Sequence, residues 1–265
     1  MLERGVSVRE WNGIQAAGWG LRNVMTASET LPNVLTTGQL SILMPVYNEA
    51  STVERAIDDA LAAELPIAQR ELVVVDDGST DGTREFLRER TWPEEVHVVF
   101  HDRNLGKGAA IRTALSHATG EIAAILDADL EYQAADLARV VAPLVSGEAK
   151  VVFGTRAWAS HTAYSFWYVV GNKTVTLAAN VLYNCYISDV MTCQKAMRTE
   201  LFRSLPLKEQ GFAIEPEIAA RAMRAGERIY EVPIAYRART REEGKKLTAL
   251  DGLRVLRTLV RCRFT

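Results

Sequence analysis

From Gln39 onward, short apolar runs alternate with stretches of helical periodicity. The runs are Leu40–Val46, Glu71–Val75, Val96–Phe100, Ile122–Leu126 and Val151–Phe153. Each is short and rich in Val, Ile or Leu, as in strands covered on both faces. Between them, Ser51 and Glu54 have capping-box spacing, and Val53, Ile57, Ala60 and Leu61 fall on one helical face. Asp81 is placed to cap the next helix, and Ala109–Ala118 and Ala134–Val145 supply two more. This alternation predicts βαβ units, hence an α/β fold with a mainly parallel central sheet flanked by helices. After residue 155 the rhythm becomes longer and more helical, with one further strand-like run, Ile229–Tyr236. No segment repeats.

Residues 1–38 lack this rhythm. They hold Trp11, Gly13, Gly18, Trp19 and Gly20 without a clean period, then the turn formers Pro32, Asn33, Thr36, Thr37 and Gly38. The expected division is an N-terminal extension, 1–38, and one domain, 39–265.

The 265 residues are 48% hydrophobic and 24% charged, which is globular and excludes a disordered chain. A net charge of −2 gives no general reason to expect nucleic acid as a partner. Cys185, Cys193 and Cys262 are an odd count without C-x-x-C spacing, so a reducing compartment fits better than a disulfide framework or zinc site. The N-terminus, MLERGVSVREW, carries acids and no apolar run of a signal peptide. Phe166 to Ile187 comes nearest to a membrane span, and Asn172, Lys173, Asn180 and Asn184 interrupt it. A soluble, cytoplasmic protein is expected.

Ligands of open parallel sheets bind beyond the C-terminal ends of the strands, so the polar residues closing each run matter most. Asp127 and Asp129 are two apart, and a strand continuing through them would put both carboxylates on one face. Mg²⁺ or Mn²⁺ shared with a substrate diphosphate would relieve their repulsion; alternatively one acid caps the following helix and the other is solvated. Asp76-Asp-Gly-Ser79 ends another run, where a carboxylate can accept N–H bonds from a nucleobase or simply close a strand-to-helix turn. Asn104-Leu-Gly-Lys-Gly108 precedes a helix, whose amides and Lys107 suit an anion, although neither a P-loop nor a dinucleotide fingerprint is present.

The segment Arg237–Arg263 holds nine Lys/Arg against three Asp/Glu. Leu253, Leu256 and Val260 share one face of the terminal helix, and Arg254, Arg257 and Arg261 another. Such a helix suits an anionic membrane surface, or else packs on the domain with its basic face solvated.

Together these motifs resemble family 2 of the inverting glycosyltransferases, with the GT-A fold, and within it the dolichol- or polyprenyl-phosphate mannose and glucose synthases. The resemblance runs from about Leu40 to Phe264. It is carried by Pro45-Val-Tyr-Asn-Glu49, Val75-Asp-Asp-Gly-Ser-Thr-Asp-Gly-Thr83, Arg103-Asn-Leu-Gly-Lys-Gly108, Asp127-Ala-Asp129, Gly154-Thr-Arg156 and Asp189-Val-Met-Thr-Cys193. Gly211-Phe-Ala-Ile-Glu-Pro-Glu217, Glu231-Val-Pro-Ile234 and Arg239-Thr-Arg-Glu-Glu-Gly-Lys-Lys246 continue the series.

The resemblance implies a single catalytic domain in which Pro45, Tyr47, Glu49, Val75 and Asp77 hold the donor nucleoside. Asp127, Ala128 and Asp129 would meet the diphosphate and the metal, Mg²⁺ or Mn²⁺. Glu131, where the synthases often have Gln, would be a third metal-facing residue. Lys107, Arg156, Arg239 (or Arg241) and Lys246 would line the phosphates. The implied reaction moves a hexose from GDP-mannose or UDP-glucose to a polyprenyl phosphate, at the cytoplasmic face of a membrane. Many of these synthases carry C-terminal membrane helices, and none is expected here. Asp189-Val-Met-Thr-Cys-Gln-Lys195 also departs from their Asp-x-Thr-x-x-Phe-Arg pattern.

A phosphate acceptor is already an anion and attacks unaided, whereas a hydroxyl acceptor needs a carboxylate base. Asp189, Glu215 and Glu217 are the candidates for that base, although acids at 215 and 217 also suit a helix start. A sugar-phosphate nucleotidyltransferase would place a Gly-rich loop after its first strand, where this chain has Pro-Val-Tyr-Asn-Glu. A nucleotide-sugar-binding module without chemistry would not need Asp127, Asp129, Arg156 and Lys246 together.

Overall fold

The computed structural model describes residues 36–156, 161–162, 166–238 and 249–265. Most of the expected N-terminal extension therefore lies outside the described residues, as do Arg239, Arg241 and Lys246.

Seven strands form the main sheet: β1 (Thr36–Val46), β2 (Ile67–Asp76), β3 (Val96–Phe100), β4 (Ile122–Ile125), β5 (Val151–Thr155), β7 (Lys195–Arg198) and β8 (Ile229–Pro233). Their spatial order is β3-β2-β1-β4-β7-β5-β8. All neighbours pair in parallel except those of β7, which runs against both β4 and β5. Two short strands, β6 (His161–Thr162) and β9 (Tyr236–Arg237), pair separately.

The helices are α1 (Val53–Ala62), α2 (Thr83–Glu89), α3 (Lys107–His117), α4 (Leu137–Val145), α5 (Phe166–Tyr183), α6 (Thr199–Ser204), α7 (Ile214–Arg224) and α8 (Ala249–Phe264). They cover both faces of the sheet, which explains why its strands read as continuous apolar runs. Leu40, Ile42 and Met44 of β1 pack with Ile57 of α1 and Val141 of α4 in one core. Leu43 of the same strand joins Val73, Val75, Ile111, Val175, Ile218 and Leu259 in the other. Each fully buried Leu, Ile or Val contributes about 1.5–3 kcal/mol relative to exposure.

Four local expectations are revised. The Ser51–Glu54 capping box does not form: Glu54 pairs with Arg90, and Thr52 and Val53 instead donate their amides to Glu49 O, each at 2.9 Å. β4 stops at Ile125, so Asp127 and Asp129 lie beyond its end rather than on one strand face. The run Ile229–Tyr236 divides into β8 and β9. β7 was not expected at all; four residues ending in Lys and Arg carry no strand signature of their own.

The order reverses between β1 and β4. β2 and β3 extend the sheet on one side of β1, and β4 begins the other. The crevice beyond the C-terminal ends of β1, β2 and β4 is therefore the place for a ligand.

Candidate active site

A cleft of ≈ 310 Å³ opens at this position. Pro45 and Val46 at the end of β1, followed by Tyr47 and Glu49, form one wall. Asp77, just past β2, and Asp127, Ala128, Asp129 and Glu131, past β4, form another. The N-terminus of α3, with Gly106 and Lys107, and the loop carrying Gly211 and Phe212 close it. Val75 is wholly buried in β2 and is not among the lining residues.

Asp77 shapes the wall as well as lining it. Its carboxylate accepts the amides of Leu105 (2.9 Å) and Gly106 (2.7 Å), and lies 2.7 Å from His101 Nδ1. That ties the 104–106 loop to the strand end. Asp81 receives the Thr83 amide at 3.1 Å, so the turn and the cleft wall are built from the same acidic run.

Glycine lets α3 enter the cleft. Gly106 has φ +95°, and a Cβ there would stand 2.5 Å from Gln210 O. A Cβ on Gly108 would stand 2.2 Å from Glu209 O. The Gly108 and Ala109 amides donate to Gln210 O, so these two serve the 209–211 loop rather than an anion.

Lys107 is the cation that α3 delivers. Its Nζ lies 2.7 Å from Asp127 Oδ2 and 2.9 Å from Glu215 Oε1. Burial works against the ammonium, but Asp127 and Glu215 outweigh it and hold its pKa well above the usual lysine range. Glu215 in turn accepts Lys195 Nζ at 2.7 Å, making a chain of alternating charge, Asp127, Lys107, Glu215, Lys195, whose last two members are fully buried. Burial keeps the neighbouring Cys193 thiol protonated, its pKa raised well above the ordinary value.

Asp127 Oδ1 is buried without a hydrogen-bond partner, while Asp129 Oδ1 accepts the Glu131 amide at 3.0 Å. Glu131 Oε2 accepts the Tyr236 hydroxyl at 3.0 Å. No group of three His, Cys, Asp or Glu converges as a complete cation cage among the described residues. Two carboxylates on a cleft wall, one with an unused buried oxygen, suit a hard ion that completes its coordination from a diphosphate and water. The residues present therefore fit Mg²⁺ or Mn²⁺.

Arg156 and Asp189 stand beside this cleft rather than on its lining. Arg156 grips Asp189 with two hydrogen bonds, of 2.6 and 2.8 Å, and its guanidinium lies 4.8 Å from the ring centroid of Tyr236, a lining residue. Glu217 is not brought to the cleft. It is fully buried under the 208–209 loop, accepting the amides of Lys208 (2.8 Å) and Glu209 (2.7 Å) and facing Arg261 at 3.2 Å.

The family model described as glycosyl transferase family 2 matches residues 41–205. The chain belongs to glycosyl transferase family 2. Glycosyltransferase AglJ of Haloferax volcanii is 31% identical over 202 residues, 76% of this chain and 64% of that one. The undecaprenyl-phosphate 4-deoxy-4-formamido-L-arabinose transferase of Klebsiella pneumoniae is 36% identical over 113 residues, 41% of this chain and 34% of that one. The chain thus spans less than two thirds of either relative.

Glucosyl-3-phosphoglycerate synthase of Mycobacterium tuberculosis superposes with a TM-score of 0.65 at 23% identity, covering 85% of this chain and 80% of that one. This supports the GT-A architecture expected of a family 2 domain. That synthase has been solved with Mn²⁺, UDP and glucosyl-3-phosphoglycerate, and with Mg²⁺ and UDP.

Several cleft residues of this family 2 domain had no assigned role in the sequence. Phe212 and Gly211 sit inside a recognised motif, so their neighbourhood was marked but not their function. Asn104 and Cys193 likewise fall inside motifs that carry the resemblance, and Tyr236, which closes an apolar run, is brought to the cleft by a pairing distant in sequence.

Proposed function

We propose that the chain is an inverting, metal-dependent hexosyltransferase that moves a sugar from a nucleoside diphosphate to a polyprenyl phosphate. The observation that carries this reading is Asp127, whose unpartnered Oδ1 lies in the crevice at the reversal of strand order, beside the Lys107 ammonium. The M. tuberculosis synthase, solved with UDP and Mn²⁺ or Mg²⁺, supports the donor class. The Klebsiella relative, named for undecaprenyl phosphate, supports the acceptor class.

In this reading Pro45, Tyr47, Glu49 and Asp77 hold the nucleoside, and Asp127 and Asp129 hold the metal. Bound there, Mg²⁺ or Mn²⁺ would neutralise charge on the departing diphosphate. Lys107 adds a fixed positive charge on the same side, oriented in advance by Glu215. Arg156, Arg239 and Lys246 are assigned to the phosphates.

The three carboxylates that could serve as a base are all engaged. Asp189 is held by Arg156, Glu215 by Lys107 and Lys195, and Glu217 by the 208–209 amides and Arg261. That favours an acceptor already ionised, which needs orientation but no proton removal. The test is a mass-spectrometric product assay with Mg²⁺ or Mn²⁺, a short polyprenyl phosphate, and GDP-mannose or UDP-glucose. A lipid product heavier by one hexose is the expected result. Donor consumption without it would move the acceptor to a hydroxyl compound.

A further inference from the structure

The outward faces of α5 and α8 carry exposed apolar residues. On α5, Phe166 (70% exposed), Val170, Leu177 (63%) and Val181 (74%) recur at spacings of four, seven and four residues, which puts them on one side of the helix. On α8, Leu253 (68%), Val260 (47%) and Phe264 (78%) do the same. Of the apolar face expected on α8, Leu253 and Val260 point outward while Leu256 leans on the core, into which Val255, Thr258, Leu259 and Cys262 pack.

The two helices are bound to each other. Tyr183 Oη donates to Leu259 O at 2.8 Å, and Arg263 Nε donates to Leu182 O at 2.9 Å. Val175 and Ala179 of α5 share a core with Val255, Leu259 and Cys262 of α8. Their inward sides meet one core, so their outward sides lie next to each other.

We propose that this two-helix face docks on an anionic lipid surface. The choice of a membrane over a second copy of the chain rests on charge and position, and on the polyprenyl acceptor proposed above. Arg254 and Arg257 are exposed alongside Leu253 and Val260, and no Asp or Glu lies between Gly252 and Thr265. Apolar residues flanked by cations match the acyl boundary and the headgroups of an anionic bilayer, whereas two copies would set arginine against arginine. Position points the same way. Asn172 near the start of α5 donates to Asp189 Oδ1 at 3.0 Å, and Asp189 holds the Arg156 that stacks on Tyr236 at the cleft. The start of α5 is thus linked to the cleft through a short chain of side-chain contacts. The contact is interfacial, because no described helix is long and apolar enough to cross a membrane.

The test is co-sedimentation of the whole chain with phosphatidylcholine vesicles, with and without phosphatidylglycerol. Binding should require phosphatidylglycerol. Arg254→Ser and Arg257→Ser should each weaken it about fivefold, the loss expected for one surface charge. The double variant Leu177→Asp/Val181→Asp should abolish binding while transfer to a short, water-soluble polyprenyl phosphate stays unchanged. Sedimentation velocity on the same samples addresses the rival: a dimer that the Asp variants split would overturn the proposal in favour of self-association. Vesicle binding untouched by all of these variants would overturn it too. Failure of transfer to the water-soluble acceptor with vesicle binding intact would refute the acceptor reading and leave the docking surface standing.

Discussion

Lys107 holds one oxygen of Asp127 at 2.7 Å, while the other oxygen of that carboxylate is buried with no partner. One half of the group is thus fixed in place and the other half is available. This is an economical way to aim a carboxylate at a cation that arrives with the substrate, because the side chain does not have to reorganise when the ion binds.

Asp127→Asn should lower transfer by about 10²–10³-fold, the range seen when one preorganised charge stabiliser is removed. Mn²⁺ binding in the presence of nucleotide, followed by electron paramagnetic resonance, should weaken in parallel. Circular dichroism should stay that of the wild type. Wild-type activity in this variant would remove Asp127 from the reaction.

Glu215 should matter more for stability than for the reaction itself. It stands between two buried ammonium groups, Lys107 and Lys195, and Lys195 is completely buried. Glu215→Gln strips the shared counter-charge from both. Breaking a buried ion pair from one side costs about 3–5 kcal/mol, and urea unfolding should show a loss of that order. Asp127→Asn should cost less, since Lys107 keeps Glu215.

Gly108→Ala tests how closely α3 must approach its neighbour. The new Cβ would stand 2.2 Å from the Glu209 carbonyl oxygen, a backbone atom that cannot swing away as a side-chain tip can. Either the 209–211 loop shifts or the start of α3 does. Overpacking of this kind costs about 1–3 kcal/mol. Because Gly211 and Phe212 line the cleft, the KM for the nucleotide-sugar should also rise. A variant with unchanged melting temperature and KM would show that the loop is freer than its packing implies.

Much of the site was legible because strand ends in a parallel sheet are marked by a change from apolar to polar residues. Pro45, Asp77 and Asp127 all follow such changes, and all reach the cleft. Glu217 was misleading for a physical reason. An acid at a helix start reads the same whether it faces a substrate or accepts the amides of a neighbouring loop, and here it takes the Lys208 and Glu209 amides. β7 stayed hidden because four residues with charged ends acquire strand character only from β4 and β5 on either side. The sequence left the orientation of α8 open because both of its sides hold apolar residues, and only its contacts with α5 and α7 decide which is covered.

The Arg156–Asp189 pair makes a prediction about acid stability. Burial alone would raise the Asp189 carboxyl, but the Arg156 charge and the hydrogen bonds from Arg156 and Asn172 outweigh it and hold the pKa below the ordinary aspartate value. The native state therefore releases this proton more readily than the unfolded chain, where the value is about 3.9. The resulting stability is fully present above that unfolded value and is lost as pH falls through it toward the depressed native one. Asp189→Asn lacks this contribution at every pH and leaves the Arg156 guanidinium without its counter-ion. Near neutral pH the variant should be less stable by about 3 kcal/mol, the low end for one-sided loss of a buried pair, since Arg156 keeps some exposure. The gap between wild type and variant, measured by urea unfolding from pH 7 downward, should hold steady until about pH 5 and then narrow as Asp189 protonates. A gap that stays constant down to the most acidic pH at which both proteins fold would mean that Asp189 steadies Arg156 by shape and hydrogen bonding alone.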